Sequence, residues 1–445
     1  MSHYKPYFAY KDSGVEWIGD VPEHWEVKPI KVVVTFNDDV LPDSMAADTP
    51  INYVDISAVS YAEGITSSEE MLFSNAPSRA RRKARVGDVV ISTVRTYLKA
   101  VAAVDQAHSD CIYSTGFAVL RARKEHIDPS FLKWLALNEL FIQSVESHSE
   151  GLSYPAINAP DLVNLKTVIP SFHEQAKIAS TLDRETKRID SLISKKTRFI
   201  ELLKEKRQAL ITHAVTKGLD PNVKMKDSGV EWIGEVPEHW EVKRLRQVAT
   251  FTNSGIDKKA YEGQEQVRLC NYKDVYYNEF ISADLEFMKA TASETEIAKF
   301  TLKKGDVIIT KDSEDPSDIG IPSIVKEDMP GVVCGYHLTL IRTNNVVIAR
   351  FLHRVIKSSP TIAHFFVEAP GITRYGLGQD AIGDVPVCLP PIKEIANIVD
   401  FVDSQTLKMD LIQKKLENSI DLLKERRSAF ITAAVTGQID LREAA

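Results

Sequence analysis

One phrase occurs twice in this chain. KDSGVEWIGDVPEHWEV runs from Lys11 to Val27, and KDSGVEWIGEVPEHWEV runs from Lys226 to Val242, differing only at Asp20 and Glu235. A repeat of this kind constrains architecture before any single residue is weighed. Three further segments recur in the same order. A glycine-aspartate turn leads into an apolar strand in VGDVVIST (86–93) and KGDVIITK (304–311). A small loop, EGLS (150–153) or PGIT (370–373), is followed by a strand ending in proline, LKTVIP or VPVCLP. Last comes a long helical segment, 174–216 in the first copy and 394–436 in the second, each free of proline and glycine.

Both long segments carry a 4-3-4-3 apolar stripe. The first places Ile178, Leu182, Ile189, Leu192, Phe199, Leu203 and Leu210 on it, interrupted by Glu185, Lys196 and Lys206. The second places Ile398, Val402, Met409, Ile412, Leu416, Leu423 and Phe430, interrupted by Gln405, Ser419 and Arg426. This is an imperfect coiled-coil seam, predicting helices about 65 Å long at about 1.5 Å per residue. A helix with such a stripe cannot stay uncovered, and the economical solution pairs the two with each other. If they run antiparallel, both ends of the pair are equivalent and each needs the same clasp. Trp17, Ile18, Val21, Trp25 and Val27, with Trp232, Ile233, Val236, Trp240 and Val242, are suited to pin a domain onto a helix end.

The predicted fold class is therefore mixed α/β. Two α/β domains are separated by two long antiparallel coiled-coil helices in a pseudo-two-fold internal repeat. The expected boundaries are a first domain over 1–170 with its clasp at 11–28 and a long helix over 171–217. A second domain follows over 218–390 with its clasp at 226–243, and a second long helix over 391–437.

Between the shared segments the copies part company: 35–85 and 250–300 share little that aligns. Identical frames around different inserts point to one job done on two targets. The net charge of −7 does not advertise a nucleic-acid binder, yet it hides an asymmetry. Residues 1–70 hold 13 acidic and 4 basic side chains, whereas 76–99 hold seven basic and one acidic. Salt screens charges beyond about 10 Å, so the local patch matters more than the total. Arg79, Arg81, Arg82, Lys83 and Arg85 precede the Gly87-Asp88 turn, and Arg95, Tyr97 and Lys99 follow the strand. Arginine can grip phosphate or read a guanine edge, and tyrosine can stack on bases. Ser153 and Tyr154 of the small loop join this set. In the second copy the comparable residues are Lys258, Lys259, Lys311, Thr373, Arg374 and Tyr375, with an acidic run, DSEDPSD (312–318), beside Lys311. The competing reading of such residues is a solvated basic loop with no ligand.

Catalytic signatures are not found. There is no P-loop, no Asn-Pro-Pro-aromatic sequence and no glycine-rich dinucleotide fingerprint. A nuclease-like pattern forced from Pro160-Asp161 and Glu185-Thr186-Lys187 fails, because the latter sits mid-helix and the second copy has Gln405-Thr406-Leu407. His24 and His239 lack an accompanying nucleophile. Cys111, Cys270, Cys334 and Cys388 lie far apart, which gives no zinc-binding spacing. No apolar run is long enough to cross a membrane and the N-terminus lacks a signal-peptide core, so the cytoplasm is the expected location.

The chain resembles the specificity subunits of type I restriction–modification systems over nearly its whole length. The resemblance rests on YKPYFAYKDSGVEWIGDVPEHW and its internal copy, and on IPSFHEQAKIASTLD and LPPIKEIANIVDFVD opening the helices. LLKEKRQALITHAVTKGLD and LLKERRSAFITAAVTGQID close them. One departure is Glu394-Ile395, where Glu174-Gln175 keeps the usual pair. The resemblance implies a non-catalytic subunit without a cofactor of its own, whose two target-recognition domains each read half of a bipartite site in double-stranded DNA. It implies two methyltransferase subunits, bringing S-adenosylmethionine, docked on the paired helices. It also implies restriction subunits that translocate with ATP and magnesium. Two readers held apart favour half-sites about one helical turn apart, and unlike inserts predict an asymmetric site. A coiled-coil scaffold or regulator with no DNA target is the alternative, and a stand-alone nuclease with an unrecognised site is a third.

Overall fold

A computed structural model describes residues 4–442. The chain divides into two compact units: one runs to Lys196 and resumes at Asn418, and the other is Thr197–Glu417. Two long helices, Phe172–Lys217 and Ile392–Val435, contribute to both. Each unit therefore holds the beginning of one long helix and the end of the other.

Within the first unit, Ile178, Ala179 and Leu182 share a core with Phe430, Ile431, Ala434 and Val435, while further along Arg427 Nε donates to Asp190 Oδ1 at 2.9 Å. Within the second, Ile211, Ala214 and Val215 share a core with Ile395, Ile398, Val399 and Val402, and Arg207 Nε lies 3.4 Å from Asp410 Oδ1. In both, position numbers rise along one helix as they fall along the other, so the segments are antiparallel. The seam keeps its seven-residue period, but alternate positions lie one residue later than the spacing predicts: Ile193 and Ile200 are half-buried while Leu192 and Phe199 are exposed, and Gln413 is half-buried while Ile412 is exposed. In the first helix the expected and observed stripes share Leu182, Ile189, Lys196 and Leu203 and differ in which of two adjacent residues fills the position between.

The clasps close the helix ends. In the first unit Ile18, Val21 and Trp25 are buried with both helix termini. Glu174, in the first turn of Phe172–Lys217, lies with Oε1 2.9 Å from His24 Nε2 and 3.5 Å from Trp25 Nε1. In the second unit Ile233, Val236 and Trp240 do the same. There Glu394 Oε2 lies 2.8 Å from His239 Nε2, and Oε1 accepts the Trp240 N–H at 3.0 Å. The copies differ at their first tryptophan: Trp17 packs against the first core near Phe141, while Trp232 is largely exposed beside His364. They differ again after the glutamate. Gln175 donates to the Pro170 carbonyl at 2.9 Å and accepts from the Asp128 N–H at 2.8 Å, whereas Ile395 is simply buried in the apolar core.

The first unit's domain contains an antiparallel sheet in the order Val101–Ala103, Val89–Ser92, Phe117–Ala122, Val34–Phe36. Its second sheet runs Glu69–Leu72, Pro50–Val54, Ile112–Ser114, Ala80–Lys83, with a parallel pair in the middle. The second unit repeats this plan. One sheet is Thr250–Asn253, Leu338–Arg342, Val307–Thr310, Pro322–Val325, extended by Phe280–Ile281. The other is Met288–Ala292, Glu265–Cys270, Met329–Cys334, Thr301–Leu302, again with its middle pair parallel. Inserts without alignable sequence thus share strand order, because pairing requires an apolar alternation rather than particular residues. What changes is the linking structure. 3-10 turns Ile56–Ala58 and Phe73–Asn75 stand where the second unit has helices Tyr272–Tyr277 and Glu294–Phe300, both started by capping boxes.

The repeated glycine-aspartate turn has a physical role in each unit. Gly87 and Gly305 adopt φ of 86° and 88°, a left-handed conformation open to glycine. The aspartate that follows is buried and accepts a backbone N–H three residues back, Asp88 from Arg85 and Asp306 from Lys303, both at 2.8 Å. It also binds an arginine of the adjacent strand, Arg121 or Arg342.

Candidate nucleic-acid interface

In the first unit the chain leaving strand Val89–Ser92 meets the EGLS loop. Val94 bridges to Ala156, the Ile157 N–H donates to the Thr93 carbonyl at 2.9 Å, and Thr96 Oγ1 donates to Ser149 Oγ at 2.9 Å. This joins Arg95 to Tyr154: the guanidinium lies 5.0 Å above the ring, and both residues are exposed, an arrangement that leaves a cation and an aromatic face open together. Tyr97 and Ser153 are exposed nearby in sequence. Arg82 lines a cleft of about 620 Å³ with Asn37, Thr93, Val94, Thr115, Asn158 and Asp161. Its Nε is buried without a hydrogen-bond partner, and burial pushes the guanidinium pKa down. A desolvated, unsatisfied donor of this type is set for an incoming acceptor.

Most of the rest of the basic run is paired with groups of the protein itself. Arg79 binds Asp55 at 3.0 Å and the Tyr53 hydroxyl at 3.2 Å. Arg85 binds Asp39 at 2.8 Å. Arg81 donates to the Ala80 carbonyl at 2.9 Å and lies over the Phe73 ring. Lys99 binds Glu139 at 2.6 Å, while Lys83 is exposed. Packing therefore sets Asp39 and Asp55 of the acidic 1–70 region against Arg85 and Arg79, and part of the asymmetry cancels locally.

In the second unit Lys258 and Lys259 are exposed at a cleft of about 460 Å³ that Asn271, Tyr272, Lys273, Tyr336 and His337 also line. Lys311 Nζ sits 5.2 Å above the Tyr336 ring. Arg374 Nη2 donates to Asp312 Oδ1 at 2.6 Å and lies 3.1 Å from His337 Nδ1. The hydrogen bond that Arg374 donates to Asp312 raises the guanidinium pKa. Thr373 is exposed, and Tyr375 is half-buried, paired with Ser313 and packed on the core. Residue-by-residue reading missed an aromatic group on the helix Tyr272–Tyr277. There Tyr272 and Tyr276 stack at 5.7 Å and Tyr277 meets Tyr276 edge-on at 4.9 Å. Three tyrosines in NYKDVYY were the available signal. Among the described residues, no group of three or more His, Cys, Asp or Glu is placed to hold a metal ion. Nor is any helix of the described residues long and apolar enough to cross a membrane.

The family model described as the Type I restriction modification DNA specificity domain matches residues 237–422. The type I restriction enzyme EcoKI specificity subunit of Escherichia coli (strain K12) is 23% identical over 445 residues, covering 95% of this chain and 90% of the relative. Over nearly its whole length the chain is similar to specificity subunits of type I systems. A second specificity subunit, StySPI of Salmonella potsdam, is 23% identical over 442 residues, again covering 95% of this chain and 90% of that protein. Two solved structures share the fold. A chain from work on complex assembly and conformational transition of the type I R-M system is 20% identical, with a TM-score of 0.73 over 94% of this chain and 99% of its own. The HsdS subunit from Thermoanaerobacter tengcongensis is 21% identical, with a TM-score of 0.53 over 94% and 98%. The family match spans every candidate of the second unit, from Lys258 to Tyr375.

Proposed function

We propose that this chain reads a bipartite, asymmetric site in double-stranded DNA for a type I restriction–modification complex, and does no chemistry itself. The observation that carries the proposal is the pairing of one strand plan with two different linings. The first unit offers Arg82 on an edge strand with Arg95 and Tyr154 on loops, and the second offers Lys258, Lys259, Lys311 and Arg374. Like frames with unlike contact residues would bind two unlike half-sites. Arginine and lysine would supply phosphate grip and guanine contacts, and the tyrosines would stack. Linking two readers in one chain raises the effective concentration of the second half-site once the first is bound.

In this reading the long helices dock two methyltransferase subunits, which bring S-adenosylmethionine. Restriction subunits bring ATP and magnesium, and the complex works in the cytoplasm. The test is methylome sequencing of cells with and without the chain. A two-part methylated motif should appear only with it, and exchanging residues 30–170 for those of a relative should change one half of that motif alone. A motif that survives deletion of the chain, or an exchange that alters both halves, overturns the proposal. Purified chain with DNA and magnesium should leave the DNA uncut.

A further inference from the structure

The small loop shared by both copies ends in a bare aliphatic side chain. Leu152 of EGLS is 106% exposed and Ile372 of PGIT is 92% exposed, which with Phe8 makes them the barest large hydrophobics among the described residues. A single exposed leucine needs no explanation. Two at the same place in two diverged inserts do, because each forgoes the gain of burying an aliphatic side chain.

The turn beneath each tip is tight. A Cβ on Gly151 would come 3.1 Å from the Tyr154 carbonyl oxygen, and one on Gly371 would collide with the Arg374 carbonyl oxygen. Each glycine lets the backbone close on the residue three positions on, which thrusts the next two side chains outward. Those are an aliphatic and a hydroxyl in both copies, Leu152-Ser153 and Ile372-Thr373. Each tip has an arginine close by: Arg95 over Tyr154 in one unit, and Arg374, bound to Asp312, in the other. An aliphatic tip beside an arginine fits a partner whose outside is anionic and whose inside is apolar. A stacked nucleic acid has that character, with phosphate outside and base faces within.

We infer that Leu152 and Ile372 are wedges, each entering between neighbouring base pairs of its half-site and unstacking one step, as aliphatic side chains do in proteins that kink DNA. Ser153 and Thr373 would then meet the flanking sugar or phosphate. Specificity would gain a component from how readily that step opens, read without a base-edge contact. This rests on the DNA-reading proposal above.

The test uses the full chain in complex with its methyltransferase partner, without S-adenosylmethionine. The duplex carries the motif found by methylome sequencing, with 2-aminopurine placed in turn at each position other than the methylated adenine. One step in each half-site should brighten on binding. L152A should abolish the signal in one half and I372A in the other, each with about tenfold weaker binding, while L152M retains it. Brightening nowhere, or equal brightening with the alanine variants, overturns the wedge. Loss of methyltransferase co-purification in L152A or I372A also overturns it and assigns the tips to protein docking. Intact methylation of the motif in cells without any unstacking sinks the wedge alone, whereas absence of motif methylation sinks the DNA-reading proposal with it.

Discussion

Arg342 grips Asp306 through two parallel bonds, Nε to Oδ1 at 2.7 Å and Nη2 to Oδ2 at 2.6 Å. The carboxylate is buried at the start of a central strand, and Asp88 with Arg121 forms the same joint in the other unit. Removing one partner strands a buried charge, which costs about 3–5 kcal/mol. R342A should therefore lower the unfolding free energy of the Thr197–Glu417 unit, read by urea titration, by that amount, and adding D306N should restore part of it. A double variant no more stable than R342A would show that the arginine acts through packing alone.

Glu174 gives the first clasp a pH dependence. Burial opposes its ionisation, but hydrogen bonds from His24 and Ser171 outweigh that and hold the carboxyl below its ordinary value of 4.5. A depressed carboxylate contributes stability above the unfolded value, and that contribution is lost as pH falls through the folded one. Acid titration followed by urea unfolding should show wild-type stability falling below about pH 4.5. E174Q should be about 1–3 kcal/mol less stable at neutral pH with a flatter acid limb.

A second charged joint ties the Thr197–Glu417 unit to its helices. Glu279 receives Arg354 Nη1 at 2.5 Å, Arg207 Nη2 at 2.8 Å and Lys357 Nζ at 2.8 Å, and Arg354 also binds Asp403 at 2.6 Å. Burial would raise the Glu279 pKa, but the neighbouring cations hold it far below the usual carboxylate range. E279A leaves three cations facing one another, and a loss of about 3–5 kcal/mol is expected. Hydrogen exchange should show opening concentrated on Val346–Ile356 and the helix segment around Arg207. Uniform protection across the unit would contradict this.

The two neighbouring arginines Arg79 and Arg82 should behave differently on DNA. Arg82 has a buried, unpartnered Nε on an open cleft, while Arg79 is committed to Asp55 and Tyr53. Anisotropy titration of the complex on its own motif should show R82A about tenfold weaker and R79A close to wild type. The reverse order would move the interface away from the cleft.

Much of the architecture was legible because the chain states it twice. The matching helical segments, the Gly87-Asp88 and Gly305-Asp306 turns and the tryptophan phrase could each be checked against a copy. The pairing of the helix segments follows from apolar spacing, and their antiparallel sense and the buried Trp25 and Trp240 from the phrase being repeated at both helix ends. The seam positions were displaced by one residue at Leu192, Phe199 and Ile412, because a seven-residue apolar period does not by itself fix whether the step of three or the step of four comes first. The candidate site was less legible. Arg79, Arg85 and Lys99 look as free in sequence as Arg82 and Arg95 do. Which of them is neutralised depends on Asp39, Asp55 and Glu139, and strand and helix packing brings these near from 24 to 46 residues away. The shared strand order of the two inserts was invisible for a related reason. A ladder of alternating apolar residues tolerates any sequence of the right shape.

The unit holding the N-terminal reader is built from two stretches of chain separated by the whole of the other unit. Phe430, Ile431, Val435 and Leu441 are buried in the same core as Trp25 and Leu182. The ribosome therefore makes the first reader early and completes it last. Thr197–Glu417 is continuous and can close while translation proceeds, but the earlier-made half waits with its apolar face uncovered until the final helix turns emerge. A premature stop codon near residue 418 would leave the later reader whole and cripple the earlier one, and chaperones would meet that half as an unfinished client.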